Sequence, residues 1–141
     1  MPYAAAQDMI DRFTARTMAE VTTDAGDVPD TAVLDRALSD ASNLIDGYLQ
    51  ARYPLPLASV PAQLTLHACN IAFYQLLAAR PLGDVEDVRQ RYDDAITYLT
   101  KVSEGKILLG LAEDQAPAEE HGALKLAGPP KRFGRENLGG F

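Results

Sequence analysis

The segment Tyr53-Pro54-Leu55-Pro56-Leu57 constrains this chain more than any other. Two prolines at alternate positions remove two amide donors and push the residues before them into extended backbone, so no helix runs through the segment. Whatever lies on either side must be separate elements. Upstream, Leu34, Ala37, Leu38, Ala41, Leu44, Ile45, Tyr48 and Leu49 follow helical spacing, and Asp30 stands where an N-cap belongs. This spacing predicts an amphipathic helix to about Arg52. Downstream, Pro61 suits the first position of a new helix. Over 61–80, Leu64, Leu66, Ala68, Cys69, Ile71, Ala72, Phe73, Leu76 and Leu77 spread around most of the circumference, which marks the central helix of a bundle. The proline segment should cross that bundle with its leucines inward.

The remaining elements fit the same plan. Residues 4–21 read as helix, either one kinked rod or two short ones with Thr14 capping the second. Residues 22–30 are a loop. Asp84 with Asp87 three residues on resembles a capping box, and Val85, Val88, Tyr92, Ala95, Ile96, Leu99 and Val102 then trace one stripe to Gly105. Phe73, Leu76 and Leu77 are expected between this helix and the one over 31–52. Gly47 lies inside the 31–52 helix at a cost of about 1 kcal/mol against alanine, so a close-packed neighbour is expected there. Ile107-Leu108-Leu109 adds a turn or short strand over the core. After Leu111 the periodicity stops: 113–141 hold Pro117, Pro129, Pro130 and five glycines, leaving at most a short strand at 123–127. The fold class is all-α, a helical bundle of about four to five helices over 1–112, with an extended C-terminal arm over 113–141.

Charge follows that division. The 141 residues carry 13 Lys/Arg and 20 Asp/Glu, a net of −7, which argues against a general nucleic-acid binder. The body to residue 112 carries −6, residues 113–124 have four acids and no Lys/Arg, and 125–141 carry +3. Cys69 stands alone, so no intramolecular disulfide or cysteine metal cluster is expected. No apolar run reaches the ~18 residues of a membrane span. The N-terminal residues lack the basic start and apolar stretch of a signal peptide, which predicts a cytoplasmic protein.

The search for chemistry is thin. His67 and Cys69, two apart on one helix, point about 200° apart and form no dyad, so His67 reads as a core or interface residue. His121 has no positioned partner. Asp93 and Asp94 are adjacent and diverge, so solvated charge outweighs a cation site. Phosphate-cradling, serine-hydrolase and zinc-protease motifs are missing. The expectation is a non-enzyme without cofactor or metal. A small helical DNA-binding regulator is the alternative, weakened because the 61–80 helix offers only His67 and Arg80 as cations and the 84–104 helix is acidic.

One stretch carries a resemblance. Leu44-Ile45-Asp46-Gly47-Tyr48-Leu49, Arg52-Tyr53-Pro54-Leu55-Pro56-Leu57 and Val60-Pro61, followed by Cys69, Ile71 and Tyr74, are similar to the Mu-like phage head–tail joining proteins. Tyr3, Asp8-Met9-Ile10-Asp11-Arg12-Phe13 and Arg91-Tyr92-Asp93-Asp94-Ala95 extend the pattern, which covers residues 3 to about 111. Position 14 departs from it, with Thr14 where the family has glycine. The resemblance implies a virion structural protein of the neck, assembled in the host cytoplasm. It implies a connector ring, typically of twelve subunits, beneath the portal. Such a ring extends the DNA channel without binding DNA specifically, and presents a surface to a neck protein, a tail terminator or a stopper.

On the residues themselves, Gly47 reads as a close-packing site, Asp46 as a local hydrogen-bonding or interface group, Tyr48 as part of the same structural motif, and Pro54 and Pro56 as a rigid crossing. The arm is the expected contact element, with Lys125, Lys131, Arg132, Phe133, Arg135 and Phe141 as partner-binding residues, since buried aromatic and arginine anchors dominate such contacts.

Overall fold

The proline segment separates two long runs of helix. The computed structural model describes residues 2–111, in the order α1 (Ala6–Phe13), α2 (Ala15–Thr22), α3 (Thr31–Leu49), α4 (Ala62–Ala79) and α5 (Glu86–Ser103). The fold is an all-α bundle of five helices, with no strand among the described residues. The arm, including the strand expected at 123–127, lies outside them.

Asp30 starts α3 as its spacing predicts: the carboxylate accepts from the amides of Ala32 at 3.0 Å and Val33 at 3.4 Å. The helix ends at Leu49, three residues short of Arg52. There the amides of Arg52 and Tyr53 both donate to the Leu49 carbonyl at 2.9 Å, which winds the chain off the helix axis before Pro54. In the crossing, Tyr53 and Leu57 are buried, Leu55 is half-buried, and Pro54 and Pro56 face outward. The Leu55–Pro56 peptide is cis. Pro61 sits just before α4 as its N-cap, with ψ 143°, rather than within the first turn.

Helix α4 is the centre. It packs against α1, α2, α3 and α5, and none of residues 64–77 is exposed. Leu64, Ala68, Cys69, Ile71 and Ala72 are fully buried. Phe73, Leu76 and Leu77 are buried too, but Phe73 stacks on Phe13 of α1 at 4.4 Å and so does not fill the seam between α3 and α5. An all-round apolar helix fixes burial without fixing which neighbour each side chain meets. On α5 the inward stripe is Ala95, Leu99 and Val102. Val85 takes the N-cap position there, so the Asp84–Asp87 box does not form. Asp84 accepts instead from the Glu86 amide at 3.0 Å.

Residues 4–21 resolve into two helices because Thr14 turns the chain at φ 70°, ψ 148°. A side chain in such backbone costs on the order of 1–3 kcal/mol. Thr14 recovers part of that cost as the cap of α2, accepting from the Thr17 amide at 3.3 Å.

Two glycines exchange the roles their positions suggest. Gly47 is exposed, and a Cβ built there meets nothing within 4 Å, so it is not a close-packing site. Gly105 is that site. It lies at φ 76°, and a Cβ on it would stand 2.5 Å from the guanidinium carbon of Arg52. Its amide bonds to the Val102 carbonyl and the Lys106 amide to the Lys101 carbonyl, the paired bonds that close a helix through a left-handed residue. Gly47→Ala should therefore raise stability by up to about 1 kcal/mol, and Gly105→Ala should lower it by about 1–2 kcal/mol. Urea midpoints of the two variants check this, and the reverse order would contradict the placement.

Candidate functional site

The crossing and the C-terminal turn of α3 make one end of the bundle, and both ends of the described chain are tied to it. Tyr3 precedes α1. Its amide donates to the Ser42 hydroxyl on α3 at 3.0 Å, and its carbonyl accepts from the Thr65 hydroxyl on α4 at 2.9 Å. Its phenol donates to the Asp46 carboxylate. Burial, then this hydrogen bond and the charge of Asp46, push the Tyr3 hydroxyl well above the ordinary value of 10. At the other end, the Leu109 amide donates to the Tyr53 hydroxyl at 3.2 Å and the Leu109 side chain enters the core.

These ties leave a cleft of about 440 Å³ lined by Tyr3, Asp46, Pro56, Leu57 and Val60. Its lining is mostly apolar, and the Asp46 carboxylate there spends one oxygen on the Tyr3 hydroxyl and has acceptor capacity left. Such a lining suits a cationic and apolar segment. A second cleft, of about 350 Å³, is lined by Arg12, Phe13, Leu66, Asn70 and Arg91. It sets two guanidinium groups beside an apolar floor in an otherwise acidic body.

The cleft at the crossing is lined by residues of the motif that carries the resemblance, and the similarity to Mu-like phage proteins extends well beyond that motif. The family model described as Bacteriophage Mu, Gp36 matches residues 3–127. The chain is 36% identical over 140 residues to the Mu-like prophage FluMu protein gp36 of Haemophilus influenzae, covering 99% of this chain and 97% of that protein. It is 35% identical over 143 residues to gene product J of Escherichia phage Mu, covering 99% of each. The chain belongs to the bacteriophage Mu Gp36 family.

In this Gp36-family chain the structure distributes the expected site residues unevenly. Asp46 and Pro56 line the cleft. Tyr48 is half-buried against the core, Pro54 is exposed within the crossing, and Gly47 is exposed on α3. Lys125, Lys131, Arg132, Phe133, Arg135 and Phe141 lie outside the described residues. His67 is buried, and its ring packs on Tyr98 at 4.4 Å. Burial holds its imidazole below the usual value against the opposing charge of Asp94. Burial also pushes the Cys69 thiol up to about 11, with Arg12 opposing, so it stays a thiol at neutral pH. No group of three or more His, Cys, Asp or Glu among the described residues could hold a metal ion, and none of the described helices is long and apolar enough to cross a membrane.

The Tyr3–Asp46 pair joins residues 43 apart, and no spacing rule reaches that far. The signal was present only as two residues of one motif without a stated link. Because the folded state holds the Tyr3 proton more tightly than the unfolded chain does, the pair's contribution is complete below pH 10 and fades as the pH rises past it. Tyr3→Phe should cost about 1.5–3 kcal/mol at pH 7 and flatten the loss of stability above pH 10. Urea unfolding at pH 7 and in the alkaline range checks both. An unchanged alkaline slope would contradict the pairing.

Proposed function

We propose that this Gp36-family protein is a head–tail connector, a non-catalytic structural protein of the virion neck. Copies would assemble as a ring, typically of twelve, beneath the portal and extend the DNA channel. The far side would receive a neck protein, tail terminator or stopper. The observation that supports this reading is the position of the motif on which the resemblance to head–tail joining proteins rests. Tyr3, Asp46, Pro56, Leu57 and Val60 come together around an open cleft at one end of the bundle, where Pro56 is exposed and Asp46 and Val60 are half-buried. A shared motif on an open surface suits contact with another protein.

The charge pattern supports the same reading. A body with a net of −6 lines a passage for DNA without gripping it, because like charge keeps the duplex off the wall. The basic end at 125–141, with Phe133 and Phe141, suits attachment to an acidic and apolar partner surface.

Purified chain mixed with portal-bearing heads of its own phage should sediment with them, and the added mass should equal a whole ring of copies. Failure to associate with the portal would remove the reading. Salt-dependent binding of bare duplex at low micromolar concentration would favour a DNA-binding regulator in its place.

A further inference from the structure

We propose that the cleft beside Tyr3 and Asp46 receives the basic and aromatic stretch 131–135 of a second copy of this chain. The proposal deepens the connector reading by naming how one copy holds the next. It rests on the cleft and the charge pattern, so a failed cross-link would leave attachment to heads untouched.

Complementarity selects the occupant. The cleft offers Pro56, Leu57 and Val60 as apolar walls and the Asp46 carboxylate at one end. Its volume of about 440 Å³ is that of a site for a bulky side chain together with a charged one. The stretch Lys131-Arg132-Phe133-Gly134-Arg135 supplies both in register. In extended backbone, residues two apart share a face, so Phe133 meets the apolar walls while Arg135 reaches the carboxylate. A guanidinium fits a carboxylate edge on, and Tyr3 engages one Asp46 oxygen and leaves acceptor capacity on the other.

A second copy is favoured over the chain's own arm. The described chain ends beside the crossing: the Leu109 amide is held by the Tyr53 hydroxyl, and Leu111 packs against the core. For its own residue 133 to enter the cleft, the chain must close a loop of about twenty residues back to nearly its starting point. The sequence between resists doubling back. It carries Glu113, Asp114, Glu119 and Glu120 with no cation before Lys125, next to a body of net −6. Pro117, Pro129 and Pro130 favour extended backbone. At roughly 3.3 Å per extended residue, the same twenty residues span more than the width of a neighbouring body.

Disulfide trapping in the full-length protein tests this. Val60→Cys places a thiol on the cleft wall and Phe133→Cys one on the arm. The native Cys69 is buried and stays protonated, so it does not compete. Mixed at about 100 µM under mild oxidation, the two single variants should give a cross-linked dimer at least tenfold above a control pairing Phe133→Cys with Ser39→Cys on the exposed face of α3. Adding Arg135→Glu to the arm variant should cut the yield at least fivefold. Ser59→Cys, exposed beside the cleft, repeats the experiment should Val60→Cys fail to keep its helical circular dichroism. A yield equal to the control, no product, or a double variant that closes only on itself would overturn the proposal.

Discussion

Pro54 and Pro56 deny the crossing two of the amide bonds that would hold a helix or strand, so side chains from elsewhere have to hold it. Tyr53 is buried and accepts the Leu109 amide, and Leu57 enters the core. Tyr3 spans α3 and α4 at the same end, through Ser42, Thr65 and Asp46. Arg52, the last residue before the crossing, lays its guanidinium where only a glycine at 105 leaves room. The crossing is thus the place where α3, α4, the end of α5 and both ends of the described chain meet.

That arrangement separates two kinds of apolar surface. Leu64, Ala68, Ile71, Leu99 and Val102 are sealed inside and serve the fold alone. Pro56 and Val60 stay accessible beside the Asp46 carboxylate. Among the described residues, His67 and Cys69 are both buried, and the cleft at the crossing is where a carboxylate and apolar side chains share an open surface.

Much of the fold was legible from periodicity. The faces of α3, α4 and α5 follow from apolar spacing, and their ends fall within three residues of the expected ones because Asp30, Pro61 and Gly105 punctuate them. Spacing could not say which neighbour a buried residue meets, hence Phe73 against Phe13 rather than between α3 and α5. Nor could it say which glycine is crowded. An interior helical glycine looks costly wherever it falls, but crowding depends on a partner that is 53 positions away in the case of Arg52 and Gly105. The cleft was legible only as a motif. Asp46 stood out as a hydrogen-bonding or interface group, while its partner Tyr3 sat before the first helix with no pattern to connect them. The arm residues from Lys125 to Phe141 lie outside the described residues.

The claim that the crossing secures both ends of the described chain is tested most directly by native-state hydrogen exchange. Tyr3 and Leu109 flank the bundle in sequence, and each amide donates to a side chain at the crossing end, on α3 for Tyr3 and within the crossing for Leu109. Both should exchange only through the opening that releases buried α4 amides such as that of Ile71, with the same dependence on denaturant. Exchange of either amide as fast as those of the 23–29 loop would contradict the claim.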